Sequence, residues 1–284
     1  MFCWGGAGGM NEKVPSFEYI SIQNFMYSSK KVSTYSDIYY SNLDLMVDDV
    51  VDRFTEVFVG RAVVCTETDL SNFIKNNLDY RNNNDDEYLS NVYMIGNESE
   101  DETAVGKPKD ILEGIIYGST KYGHDTLGFI NNIDFDSYTI NTLYEEDQDW
   151  SKENIIDIIE NSNVHIINYY GGSPNVALMK LEENDILSLN SKNSFFLFSQ
   201  ANHSGSNASG ALAKDIMTIK NGAFAVVAPS NNQTTYYMSP VGRTKAQEFH
   251  REFWDAHFRK NITNLAHMLQ EAREKQFFFF FRCI

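Results

Sequence analysis

Ser194 to Ser230 reads SFFLFSQANHSGSNASGALAKDIMTIKNGAFAVVAPS, and this stretch decides the fold. An almost unbroken apolar run over 194–201 gives way to a loop of Asn, Ser and Gly. A helical pattern follows over 210–220, and a second apolar run over 223–229. Runs without alternation belong in a sheet covered on both faces. Two such runs separated by a helix predict a βαβ unit, because parallel strands need a crossover.

The same alternation extends outward. "VHIINYY" (164–170) predicts a strand, preceded by the helix "SKENIIDIIENS" (151–162) with Ser151 as N-cap. Strands are predicted over 56–60, 91–96 and 138–144. Helices are predicted over 66–80, with Thr66 or Thr68 as cap, and over 109–118, 243–258 and 262–275. Residues 81–87 read as a polar loop and 98–108 as an acidic one. The fold class is α/β, a doubly wound, mostly parallel sheet with helices on both faces. In such sheets the working site lies beyond the C-terminal ends of the central strands. Two loops of unusual composition sit there: "GGSPN" from Gly171, and "NHSGSNASG" from Asn202.

Bulk properties narrow the function. The formal net charge of −16 disfavours nucleic acid as a general partner, and an anionic membrane surface for the same reason. No run approaches the ~18 apolar residues of a membrane span. Cys3, Cys65 and Cys283 lie far apart and form no CxxC pair, so zinc is not indicated. The N-terminus shows no basic region followed by a long apolar run, hence no visible signal peptide.

Other motifs carry weaker chemistry. "GGAGG" (5–9) lacks the Lys-Ser/Thr of a phosphate loop and reads as a glycine turn. Asp44, Asp48, Asp49 and Asp52 form an acidic cluster, a weak calcium candidate whose spacing fits no EF-hand. No other cofactor is indicated. His203 stands beside Ser204, Ser206 and Ser209, but neighbours in sequence rarely form a nucleophile–base pair. His124, His165, His250, His257 and His267 form no constellation, and His165 is expected to point into a packed layer. Five consecutive Phe (277–281) show neither strand alternation nor helical spacing. They read as a buried strand or as a chain end altered by truncation or a shifted frame.

The ordered segments resemble the gingipain family of cysteine peptidases, which have a caspase-like fold. "SDIYYSNLD" (36–44), "EVFVGR" (56–61) with the helix after it, "INYYGGSPN" (167–175), the 196–230 stretch and "EFHREFWDAHF" (248–258) carry the resemblance. It covers roughly residues 1–275 as one peptidase domain, expected to be incomplete at both ends, with 276–284 as an atypical Phe-rich tail. It implies a peptide or protein substrate and an extracellular or exported protein. It also implies a Cys–His dyad with backbone N–H groups of a glycine loop as oxyanion donors. Carried over position by position, Asn202 stands where the family has Cys, and Gly172 stands where it has His, or that His is deleted between Gly171 and Gly172. Gly171, Ser173, Ala201 and Gly205 form the oxyanion and substrate loops.

Neither Gly172 nor Asn202 can do the chemistry, because one has no proton to move and the other is no nucleophile at neutral pH. The expectation is a catalytically impaired peptidase domain. Two alternatives stand beside it. One is an active peptidase with a displaced dyad, His203 serving as base and Ser173, Ser204 or Cys65 as nucleophile. The other is a non-enzymatic peptide-binding or adhesion module.

Overall fold

The structure is a computed structural model that describes residues 2–4, 17–25, 28–36, 38–41, 46–47, 50–51, 56–97, 107–120, 125–131, 138–171, 178–201, 204–205, 212–229 and 245–281. The strands are β1 (Phe2–Trp4), β2 (Phe17–Phe25), β3 (Ser28–Ser36), β4 (Met46–Val47), β5 (Val50–Val51), β6 (Gly60–Ala62), β7 (Asn91–Asn97), β8 (Thr139–Tyr144), β9 (Ile166–Gly171), β10 (Phe195–Ser199) and β11 (Ala223–Val227). The helices are α1 (Ile38–Ser41), α2 (Glu67–Asn82), α3 (Asp86–Ser90), α4 (Pro108–Tyr117), α5 (Lys152–Asn161), α6 (Glu183–Ser188), α7 (Leu212–Thr218), α8 (Lys245–Lys260) and α9 (Leu265–Phe281).

Five of the strands form one sheet in the order β11-β10-β9-β7-β8, and every pairing in it is parallel. Strand parity then sorts the side chains into two cores. Ile167, Tyr169, Phe195 and Leu197 face α5, α6 and α7, meeting Ile155, Ile159, Ile186 and Ile216. Ile166, Tyr170, Phe196 and Phe198 face α4, α8 and α9, meeting Ile115, Phe253, Trp254 and Met268. Both faces are therefore covered, which is why β9 and β10 read as continuous apolar runs: every residue in them is buried.

Helix α2 lies against α7 and β11. Its buried Asn76 donates to the carbonyls of Ile219 (3.0 Å) and Met217 (3.3 Å), satisfying acceptors that the end of α7 leaves open. The α8–α9 hairpin is tied by Lys275 to Glu252 and by Lys260 to Glu271.

Several boundaries differ from the sequence reading. The run 56–60 is a bend leading into β6 rather than a strand. The polar loop 81–87 is partly helical: α2 runs to Asn82, and Asp85 caps α3 by accepting from the N–H groups of Glu87 and Tyr88. Asp and Asn favour turns and caps equally, so composition does not separate the two. The Phe run is helix through Phe281, because extending an existing helix costs far less than nucleating a new element. The stretches GGAGG (5–9) and Asp44, Asp48, Asp49 and Asp52 lie outside the described residues. Among the described residues no helix is long and apolar enough to cross a membrane.

Candidate active site

The neighbours β9 and β10 pair in register from Ile166↔Phe196 to Tyr169↔Ser199. The ladder continues one step further, with the Gln200 N–H donating to the Tyr169 carbonyl at 2.9 Å. Gly171 ends β9 and Ala201 follows β10, so the two candidate loops leave from the C-terminal ends of adjacent parallel strands. Gly172, Ser173, Asn202 and His203 themselves lie outside the described residues.

The residues flanking those positions are closely held. Gly171 has no room for a side chain: a Cβ there would lie 2.6 Å from Asn97 Cβ and 2.9 Å from both Asn97 O and Tyr169 Oη. The glycine thus lets β9 pass against the end of β7, where Asn97 pairs with Gly171. Burial pushes the Tyr169 phenol well above its usual pKa, so it stays neutral.

On the partner loop, the Ser204 N–H donates to the Ala201 carbonyl at 3.2 Å and the Ser204 hydroxyl donates to the same oxygen at 2.8 Å. Ser199 Oγ lies 3.0 Å from Ser204 Oγ and accepts from the Ala201 N–H at 3.2 Å. Ala201 and Ser204 are thereby held together by two hydrogen bonds. Gly205 donates its N–H to the Pro229 carbonyl (2.9 Å), and a Cβ on it would lie 2.7 Å from Ala228 O. At Ala201 and Gly205 these contacts are made by the backbone, and the buried Ser204 hydroxyl is committed to the brace. Cys65 is exposed, immediately before α2, and its N–H donates to the Asp69 carboxylate at 2.8 Å.

The far side of the glycine loop returns through a tight turn. Leu178 and Leu181 exchange both backbone hydrogen bonds at 2.9 Å, with Met179 (φ 53°) and Lys180 (φ 63°) in the left-handed region. Two non-glycine residues there are costly, and tertiary contacts compensate. Met179 is fully buried. The Lys180 ammonium sits 4.1 Å above the Trp150 ring, donates to the Trp150 carbonyl at 2.7 Å and pairs with Glu145. The Trp150 indole N–H (3.2 Å) and the Glu145 N–H (3.0 Å) both donate to the Gly96 carbonyl, next to Asn97. Both ends of the glycine loop are thus referred to the end of β7.

Asn168 and His250 form a buried pair under the strand ends, with His250 Nε2 2.6 Å from Asn168 Oδ1. Sequence reading placed His250 in no constellation and gave Asn168 no role beyond its strand. An Asn inside an apolar strand was the available signal; nothing in the sequence of α8 singles out His250. His165 packs as expected, its Nδ1 2.8 Å from the Leu89 carbonyl and its ring against Tyr80 and Tyr88. Among the described residues no group of three His, Cys, Asp or Glu is gathered as a metal site.

A covered parallel sheet, with two neighbouring strands ending in glycine- and serine-braced loops, defines a caspase-like α/β domain. The chain belongs to peptidase family C25, whose sequence model matches residues 4–278. The fold is similar to that of the Arg-specific cysteine proteinase gingipain R (RGPB), with a TM-score of 0.65 and 19% identity over 84% of this chain and 53% of that one. It is similar also to the complex of the Porphyromonas gingivalis RgpB pro- and mature domains, with a TM-score of 0.63 and 21% identity, covering 84% of this chain and 54% of that one. A structure titled as a protease follows at a TM-score of 0.55 and 18% identity, covering 84% and 57%. The chain spans about half the length of the gingipain structures it matches. No curated protein matches it.

Proposed function

We propose that this domain receives peptide segments on a cysteine-peptidase scaffold and is impaired in cleaving them. One observation carries the reading. The backbone supports of the two loops are in place, while the sequence puts Gly172 and Asn202 at the positions that correspond to the dyad. Members of a dyad act as a unit, so losing both removes nearly all catalysis beyond binding. The remaining N–H groups of the glycine loop can still bind a carbonyl oxygen. Export to the cell exterior belongs to the same proposal, as the family resemblance implies.

The test uses fluorogenic Arg and Lys peptides and a thiol-directed probe. The expected result is no turnover above an empty-vector control, with non-cleaved peptide binding seen by fluorescence anisotropy. Measurable turnover by the unmodified protein sinks the impairment. The double variant Gly172→His with Asn202→Cys is expected to gain thiol labelling and slow hydrolysis.

A further inference from the structure

The His250 side chain is fully buried in the middle of α8 and touches two of the central strands directly. Its ring lies parallel to Phe198 of β10 (centroids 4.5 Å, 5°) and to Tyr170 of β9 (5.9 Å, 3°). The Asn168 amide N–H donates to Met94 Sδ on β7 at 3.3 Å, which leaves Asn168 Oδ1 to accept from His250 Nε2. The tautomer is thereby set: Nε2 carries the proton and Nδ1 carries the lone pair, and Nδ1 has no hydrogen-bond partner among the described residues. Tyr170 directly precedes Gly171, and Phe198 stands three residues before Ala201.

We propose that neutral His250 is a positioning residue that sets the spacing of β9 and β10 beneath the candidate site, and that acid releases it. This rests on reading those strand ends as the peptide site. Among the described residues a proton added at Nδ1 finds no acceptor. The strands present Asn168, Tyr170 and Phe198 to the ring, and α8 carries Glu248, Arg251 and Glu252 beside it in sequence. Burial first, then the Arg251 charge, pushes His250 down to about 3. The imidazole therefore takes a proton only when α8 lifts away, so acid pulls the opened state.

Amide hydrogen exchange tests this from pH 7 to 5, after correction for intrinsic rates. The Gln200 N–H, bonded to Tyr169 O, reports the last link between the two strands. Its opening constant is expected to rise up to about tenfold per pH unit below 6.5. The Ser162 N–H, bonded to Ile158 O at the end of α5, serves as reference and is expected not to follow. His250→Phe keeps a ring between Tyr170 and Phe198 and is expected to abolish the slope, whereas His165→Phe leaves it. Asn168→Asp, which offers the imidazolium a carboxylate, is expected to flatten it without altering α8. A wild-type profile without the slope overturns the proposal, as does parallel opening of Gln200 and Ser162 or a slope unchanged in the variants. Peptide anisotropy over the same range separates the two ideas. An exchange slope with no peptide binding at any pH leaves the latch standing and removes the site reading.

Discussion

Gly171 shows what a single residue contributes here. The sequence displays a Gly-Gly pair after an apolar strand, which marks a close approach, but the neighbour that forbids a side chain is Asn97 on another strand. A methyl group at position 171 must displace the half-buried Asn97 or the hydroxyl of the fully buried Tyr169. Gly171→Ala is expected to cost about 1–3 kcal/mol in urea denaturation, as overpacking does. Gly60, whose Cβ position meets nothing within 4 Å, serves as contrast, and Gly60→Ala is expected to stay within about 0.5 kcal/mol of wild type. Equal costs at the two positions count against the close-approach argument.

At the scale of elements, what the sequence revealed depends on how local the cause is. The start of α2 was legible because its signal is contiguous: Thr66 accepts from the Asp69 N–H at 3.1 Å, while the Asp69 carboxylate accepts from the Thr66 N–H at 3.1 Å. Thr66→Ala is expected to lower stability by about 1 kcal/mol in the same denaturation assay. The central strands were legible because burial on both faces leaves unbroken apolar runs. The short α3 and α6 were not, since five or six residues are too few to show a period. The Leu178–Leu181 turn was not legible either. Met-Lys is no turn signal, and its compensation comes from Trp150 and Glu145, distant in sequence. Lys180→Met is expected to cost about 1–2 kcal/mol, because it removes the cation–π contact, the ion pair and the bond to the Trp150 carbonyl together. Arg at 180 is expected to recover part of that loss, and a Met variant as stable as wild type argues that the backbone alone holds the turn.

For the whole molecule, the doubly wound sheet creates two buried layers, and each end of β9 meets a histidine buried without charge. His250 lies near the site end; His165 lies at the opposite end, where burial also holds its pKa below the usual value despite the bond to the Leu89 carbonyl. Both groups bind a proton less readily in the folded chain than in the unfolded one, where they titrate near 6.5. Their contribution is thus fully present above pH 6.5 and is lost as pH falls from there, toward about 3 for His250. For His250 each unit of pH costs up to about 1.4 kcal/mol, which removes about 2 kcal/mol between pH 6.5 and 5, and His165 acts in the same direction. Carboxylates act lower. Bonds outweigh burial in holding Asp69 below its ordinary 3.8, so its contribution is lost nearer that value, whereas burial raises Asp215, which offsets part of the loss. Urea midpoints are therefore expected to fall steadily from pH 7 to 5, and the double variant His165→Phe with His250→Phe to hold nearly level across that window. A wild-type midpoint that stays flat to pH 5 shows that the histidines are already solvated, and with them the strand ends they support. The same measurement thus tests whether the layers closing over β9 and β10 are as dry as the packing of Phe198, Tyr170 and Phe224 requires.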